Sequence, residues 1–369
     1  MTALTSFTKQ IPKGRSRTAL GRLVAKLLAG AWKVLPPLPA HSERELDEIA
    51  ILLMRSQAGA LAWWRIRHSG LRFAPIAQQL EQAYRFYFLQ VALHERSLKQ
   101  VIRMFRSYGV EPLLLKGWAI ARHYPDPGLR PYCDFDLCVL PGQFDDATAA
   151  LKNSKSPAWN VDLHPGFGKF YERQASDIFG RSQLVSLDDV DVRVPSAEDH
   201  LRFLCMHLLR HGAARPLWLC DLAVLLEDRP ADFDWDRCLS GSRRQLDWIA
   251  CALGLAHQLL GADVEGTPIA RRAKKLPSWL VPAVLKTWGI QTVTRGQVVA
   301  YLRHPVRVLR GLLNELPRHW PNPIEATITL KGPFNELPRL PFQVGHVFSR
   351  TTAVVGQLSA SPEVVRNER

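Results

Sequence analysis

Apolar positions recur at helical spacing along the first third of the chain. Ser42 followed three residues later by Glu45 forms a capping box, so the pattern predicts a helix from Glu43 to about Arg67. Pro75 opens a second long helix. Leu80, Tyr84, Phe88, Val91, Leu98, Ile102 and Phe105 fall on one face of it, and Gly109 stops it after about Tyr108. The pattern then shortens. Pro112 to Leu115 reads as a strand, Trp118 to Tyr124 as a brief helix, and Pro125 to Gly128 as a turn. Asp134 to Leu140 reads as a strand with polar residues on one face at its start, Pro141 to Leu151 as a helix, and Asn160–His164 and Asp191–Val194 as two further strands. Beyond Pro195 the spacing is helical again. Ser196 and Asp199 cap one helix that Gly212 closes, Pro216 begins another through Asp221 to Leu226, and a third spans about Gln245 to Leu260. The expected fold class is α+β, with a small mixed sheet, N-terminal bracing helices and a C-terminal helical domain. The expected divisions are 1–40, 41–110, 111–195, 196–300 and 301–369.

Composition narrows the partners. The 369 residues carry a net charge of +14, which favours an anionic partner such as nucleotide, nucleic acid, phosphorylated sugar or a membrane face. Residues 1–40 hold basic side chains and no acidic one. The part from Thr18 to Leu35 has two readings: a solvated basic arm, or an amphipathic helix lying on anionic lipid. The last segment, 301–369, is basic and punctuated by proline, and Asn-Glu-Leu-Pro-Arg occurs in it twice, at 314–318 and 335–339. Six cysteines without a CxxC pair read as reduced, mostly buried thiols of a cytoplasmic protein. No run of 18 apolar residues suits a membrane span. P-loop, GxGxxG and GxSxG patterns are absent, which argues against common kinases, dinucleotide enzymes and α/β-hydrolases.

The chemistry concentrates in three carboxylates. Residues i and i+2 of a strand share a face, so Asp134 and Asp136 stand side by side in a largely apolar strand. Two such groups repel and lose hydration unless a cation lies between them, and hard oxygen donors suit Mg²⁺. A pair of surface aspartates at a strand end is the alternative. Asp162, in Asn160-Val161-Asp162-Leu163-His164, would complete a two-metal site or serve as general base. His164 shares its face, either to touch substrate or as a structural group. Upstream, Lys116-Gly117 sits between a strand and a helix, where a glycine lets backbone N–H groups approach phosphate. His200, His207 and His211 form one helical stripe. Three roles stand open for the stripe: a zinc site, a structural set, or a wall of the cleft shared with Asp221 that holds base, ribose or acceptor.

The string Leu113-Leu114-Leu115-Lys116-Gly117, then Tyr124-Pro125-Asp126-Pro127-Gly128-Leu129-Arg130-Pro131, then Asp134-Phe135-Asp136-Leu137 resembles the bacterial uncharacterised nucleotidyltransferase family of the DNA polymerase β-like superfamily. The likeness continues through Val161-Asp162-Leu163-His164, Val194 to Asp199, His207, His211 and Trp218-Leu219-Cys220-Asp221-Leu222, covering roughly residues 45–260. It implies that Asp134, Asp136 and Asp162 hold Mg²⁺, with two ions expected. Gly117 would mark the phosphate-facing turn, and Lys116 and Arg130 would contact phosphate. An NTP, with ATP expected, would donate its NMP to an unidentified acceptor. Two other readings are a catalytically weak protein of the same fold that docks to nucleic acid or membrane, and an RNA-directed nucleotidyltransferase.

Overall fold

The computed structural model describes residues 15–154, 159–167, 173–290 and 320–359, with side chains as far as Arg350. The fold is α+β. Its sheet has five strands, β1 (Leu113–Leu114), β2 (Phe135–Val139), β3 (Val161–Pro165), β4 (Gln183–Leu187) and β5 (Val190–Val194), in the order β3-β2-β1-β5-β4. β1 runs antiparallel to β2 and parallel to β5, β2 runs parallel to β3, and β4 pairs antiparallel with β5.

Four helices precede the sheet: α1 (Arg17–Leu28), α2 (Glu43–Arg55), α3 (Gly59–Ile66) and α4 (Ala77–Ser107). The capping box of Ser42 and Glu45 is present at the start of α2. The single helix expected from Glu43 to Arg67 is two helices, because the chain breaks at Ser56-Gln57-Ala58. Gln57 takes a φ of 63°, and the Ala58 N–H donates to Leu53 O. The apolar spacing runs on across that kink, so periodicity alone hides it. α4 closes as expected, with Tyr108 at its C-cap and Gly109 at a φ of 71°.

α4 lies under one face of the sheet. Its Val91, Leu98, Ile102 and Phe105 pack with Leu114, Phe135, Leu137, Val139, Val192 and Val194. α6 (Phe144–Asn153) adds Ala147 and Ala150 to the same cluster, and the short helix α5 (Trp118–Ala121) adds Trp118. Strand β4 was not anticipated. It alternates Gln183, Leu184, Val185 and Ser186 around a largely exposed edge, and turns into β5 through Asp188 at a φ of 54°. A strand with little to bury leaves a weak apolar signal. α7 (Ala175–Arg181) precedes it.

The second half is helical: α8 (Ala197–Arg210), α9 (Pro216–Glu227), α10 (Trp235–Leu239), α11 (Arg243–Leu260), α12 (Ala270–Lys274), α13 (Leu280–Trp288), α14 (Pro323–Thr329) and α15 (Leu340–Ser359). Ser196 caps α8 through the Asp199 N–H, and Pro216 sits in the first turn of α9. The first copy of Asn-Glu-Leu-Pro-Arg lies outside the described residues. In the second, Arg339 folds back onto Asn335 Oδ1 at 2.7 Å.

Helix α1 corrects the reading of the N-terminal region. Residues 1–14 lie outside the described residues, but Leu20, Leu23, Val24, Ala25, Leu27 and Leu28 are buried in the main helical core. The face that an amphipathic lipid anchor would use is therefore filled by the protein itself, and this stretch is not a solvated arm. Lys26 stays exposed on the opposite side. α1 crosses α13 backbone to backbone. A Cβ on Gly21 would lie 1.9 Å from Leu285 O, and one on Gly289 would lie 1.9 Å from Arg17 O. Among the described residues no helix is long and apolar enough to cross a membrane.

Any side chain at position 21 must push α1 off α13. Gly21→Val is expected to cost at least about 1–3 kcal/mol, the usual range for overpacking. Urea unfolding followed by tryptophan fluorescence checks this, and an unchanged midpoint would mean that α1 is not docked.

Candidate active site

The packing of β2 on α4 fixes which way its side chains point. Phe135, Leu137 and Val139 face α4, so Asp136 and Cys138 face the opposite side. In β3, Val161 and Leu163 pack towards the same apolar cluster, which turns Asp162 and His164 the other way. The parallel register sets Asp136 against Asp162 and Cys138 against His164. One donor atom from each of Asp136, Asp162 and His164 lies within 4.8 Å of the other two. His164 Nε2 is 3.3 Å from Asp162 Oδ2. Asp136 is the buried member, only 5% exposed, while Asp162 and His164 open to solvent. Asp134 sits in the bend just before β2, half-buried and outside this close group. Its charge still reaches Asp136.

Burial drives the Asp136 carboxyl above the usual carboxylate range, and the charges of Asp134 and Asp162 push in the same direction. Lys116 opposes them, with Nζ 2.6 Å from Asp136 Oδ1. The expected phosphate-contacting lysine thus rests on the innermost carboxylate. Its backbone is held in place from two sides. The Leu115 N–H donates to Asp136 O, and buried His200 donates Nε2–H to Leu115 O at 3.0 Å. Since a carbonyl only accepts, this bond fixes the neutral Nε2–H form of His200, and burial takes its pKa down to about 3. Gly117 follows at φ 65° and ψ −122°, a conformation that glycine alone adopts without strain. The Tyr132 ring covers it, 3.3 Å from where a Cβ would stand. Gly117 is the N-cap of α5, as the strand-to-helix turn requires.

The histidine stripe of α8 lies within reach of the Lys116 charge. His207 lies 4.6 Å from the His211 ring and 4.6 Å from the Trp218 ring, with Phe203 nearly parallel to it. Burial pushes His207 down to about 2, helped by the positive charge of Lys116. His211 is lowered by burial and then by Arg210, Lys116 and Arg215. The Arg215 guanidinium lies over Trp218 at 4.9 Å. His207 Nε2 is buried without a hydrogen-bond partner. His200 is committed to Leu115 O, and the metal-capable group of three among the described residues is Asp136, Asp162 and His164, so the stripe does not assemble as a zinc site.

Arg130 and Asp221 differ from their expected parts as direct substrate contacts. Both are buried and grip each other, with Nη2 to Oδ2 at 2.8 Å and Nε to Oδ1 at 3.2 Å. Tyr124 donates its hydroxyl to Asp221 Oδ1 at 2.8 Å. This set ties the loop before β2 to α9 and spends the Arg130 fork internally. Sequence spacing could not pair residues so far apart. Trp218, which the sequence marked only through the family-like string, packs on His207 and His211, and Arg215, which the sequence did not single out, lies over its ring. The five remaining cysteines are buried and Cys133 is exposed, none of them in a disulfide.

The donor set suits a divalent cation. Two carboxylates in register and a nearby imidazole converge on one face, and the buried member carries a lysine ammonium as counter-charge. Two outcomes are expected. Asp221→Ala leaves the Arg130 charge buried and unpaired, which should cost about 3–5 kcal/mol in urea unfolding. A loss within the error of the measurement would mean the pair is not a brace. His200 has a folded-state pKa below its unfolded value near 6.5, so its contribution is present above that pH and is lost as pH falls. With a folded value of about 3, the loss between pH 7.5 and pH 5 amounts to about 2 kcal/mol. His200→Gln should flatten that limb of the stability profile, and an unaltered slope would contradict the assignment.

The model of a family described as uncharacterised nucleotidyltransferase matches residues 42–155 and 158–261. No curated protein and no solved structure gives a significant match. The matched spans contain the whole of β1, β2 and β3, the Lys116-Gly117 turn, the three carboxylates, the histidine stripe and the Arg130–Asp221 brace. With more than half of its length accounted for in this way, the chain belongs to the uncharacterised nucleotidyltransferase family and is a nucleotidyltransferase.

Proposed function

We propose that this enzyme moves a nucleoside monophosphate from an NTP, with ATP the expected donor, to an acceptor hydroxyl or similar nucleophile, with pyrophosphate leaving. The observation that carries this reading is the in-register approach of Asp136 and Asp162 beside Lys116. Asp134, Asp136 and Asp162 would hold Mg²⁺. When bound, the ions neutralise charge on the triphosphate and favour the ionised form of the attacking group. The remaining work belongs to the protein. Lys116 is placed to exchange the Asp136 carboxylate for phosphate oxygens, and the Gly117 turn gives the backbone close access to the same phosphates. Asp162, open to solvent, is positioned to accept the proton from the acceptor. The acceptor oxygen then bonds to the α-phosphorus as the α–β anhydride bond breaks. His207, His211 and Trp218 offer flat, largely uncharged surfaces for the base, the ribose or the acceptor. Arg130 and Asp221 support the loop that leads into β2. Positioning and charge stabilisation would supply most of the rate.

Labelled NTPs incubated with the enzyme and a cell extract should tag one acceptor in the presence of Mg²⁺, and mass spectrometry of the tagged species would name it. Asp136→Asn removes the buried carboxylate, so labelling should fall by roughly 10³-fold, the equivalent of several kcal/mol of lost charge stabilisation. NTP binding unaffected in that variant, with no tagged species in the wild type, would favour a binding protein over a transferase, and undiminished labelling would remove Asp136 from the catalytic role. Tight, salt-sensitive RNA binding with RNA as the tagged species would instead direct the acceptor site to nucleic acid.

A further inference from the structure

The close group on the sheet is not the three carboxylates of the sequence motif. It is Asp136, Asp162 and an imidazole, with Asp134 set apart in the bend that precedes β2. From this geometry we propose that His164 is itself a ligand of the bound cation, joining Asp136 and Asp162 in an O,O,N donor set that accepts divalent transition ions as well as Mg²⁺. The proposal rests on the metal-dependent reading above and makes it more specific.

Three features support it. First, the position is enforced. His164 follows Asp162 by two residues in a strand whose other face is packed against the apolar cluster, so its ring stands on the carboxylate face and cannot turn away without breaking β3. Second, the ring has a place to act and no competing partner across the register. Its neighbour on β2 is Cys138, a buried side chain packed with Leu113, Leu115 and Ile178. The group that meets the imidazole is Asp162, at 3.3 Å. Third, the distances suit chelation. Donor atoms that all lie within 4.8 Å of one another can be reached by a single ion with bonds of about 2.0–2.2 Å after small side-chain rotations. An imidazole nitrogen in that set widens the choice from Mg²⁺, which holds to oxygen ligands and water, to divalent transition ions, and Mn²⁺ serves as the paramagnetic probe among them.

The test uses the full-length protein with Mn²⁺ alone, and repeats the binding titration with ATP present. Electron spin-echo modulation of bound Mn²⁺ should show coupling to an imidazole ¹⁴N. That coupling should vanish in His164→Gln and persist in His211→Gln. Titration of free Mn²⁺ should show the dissociation constant of His164→Gln raised at least about tenfold. The wild-type spectrum decides the matter even if a variant folds poorly. Mn²⁺ that binds, is weakened by Asp136→Asn, and shows no ¹⁴N coupling would overturn the ligand role of His164 and leave the transferase reading standing. No Mn²⁺ binding by the wild-type protein, with or without ATP, would overturn both.

Discussion

A carboxylate kept out of water requires a cation, and the site is arranged around that requirement at Asp136. Leaving such a group charged and alone in a protein interior costs several kcal/mol. The fold answers in two ways. The parallel register of β2 and β3 brings Asp162 alongside, which sharpens the need for positive charge, and the turn after β1 delivers Lys116 to within 2.6 Å. The lysine is anchored by backbone and side-chain bonds from β2 and α8, so its position follows from the sheet and the helical half together. The side of the sheet that carries the chemistry is chosen by α4, whose apolar ridge claims the other side.

The cleft is therefore a meeting of opposite charges. Asp134, Asp136 and Asp162 stand at the β2–β3 end of the sheet, Lys116 rests on Asp136 between them and α8, and beyond it come rings that burial keeps neutral. The overall excess of +14 adds long-range attraction for an anion without shaping the site.

Much of the local structure was legible along the chain. The Ser42 and Ser196 caps, the Gly109 stop and the strand parity of Asp136, Asp162 and His164 all follow from short-range rules, and each is present. What escaped was non-local or energetically quiet. β4 buries little on its edge, so its alternation is shallow. The kink at Gln57 leaves the apolar period intact on both sides. Arg130 and Asp221 each look like free polar groups until the fold brings together residues 91 apart. The basic residues of the N-terminal stretch suggested solvent, but Arg22 and Lys26 project from one side of α1 while its leucines fill the core. Charge composition describes a segment's average; burial is decided by which face each residue occupies.

The docking of α1 onto α13 has a further consequence. The family pattern spans residues 42–261, and these two helices lie on either side of it, at 17–28 and 280–288. Segments from beyond both ends of the shared region close over one another like a clasp, sealing leucines contributed by the helices between them. The part that matches the family is thus smaller than the part that packs together. A trimmed protein cut to the borders of the matched part would carry Asp134, Asp136, Asp162 and Lys116 and still shed the seal that keeps its interior dry.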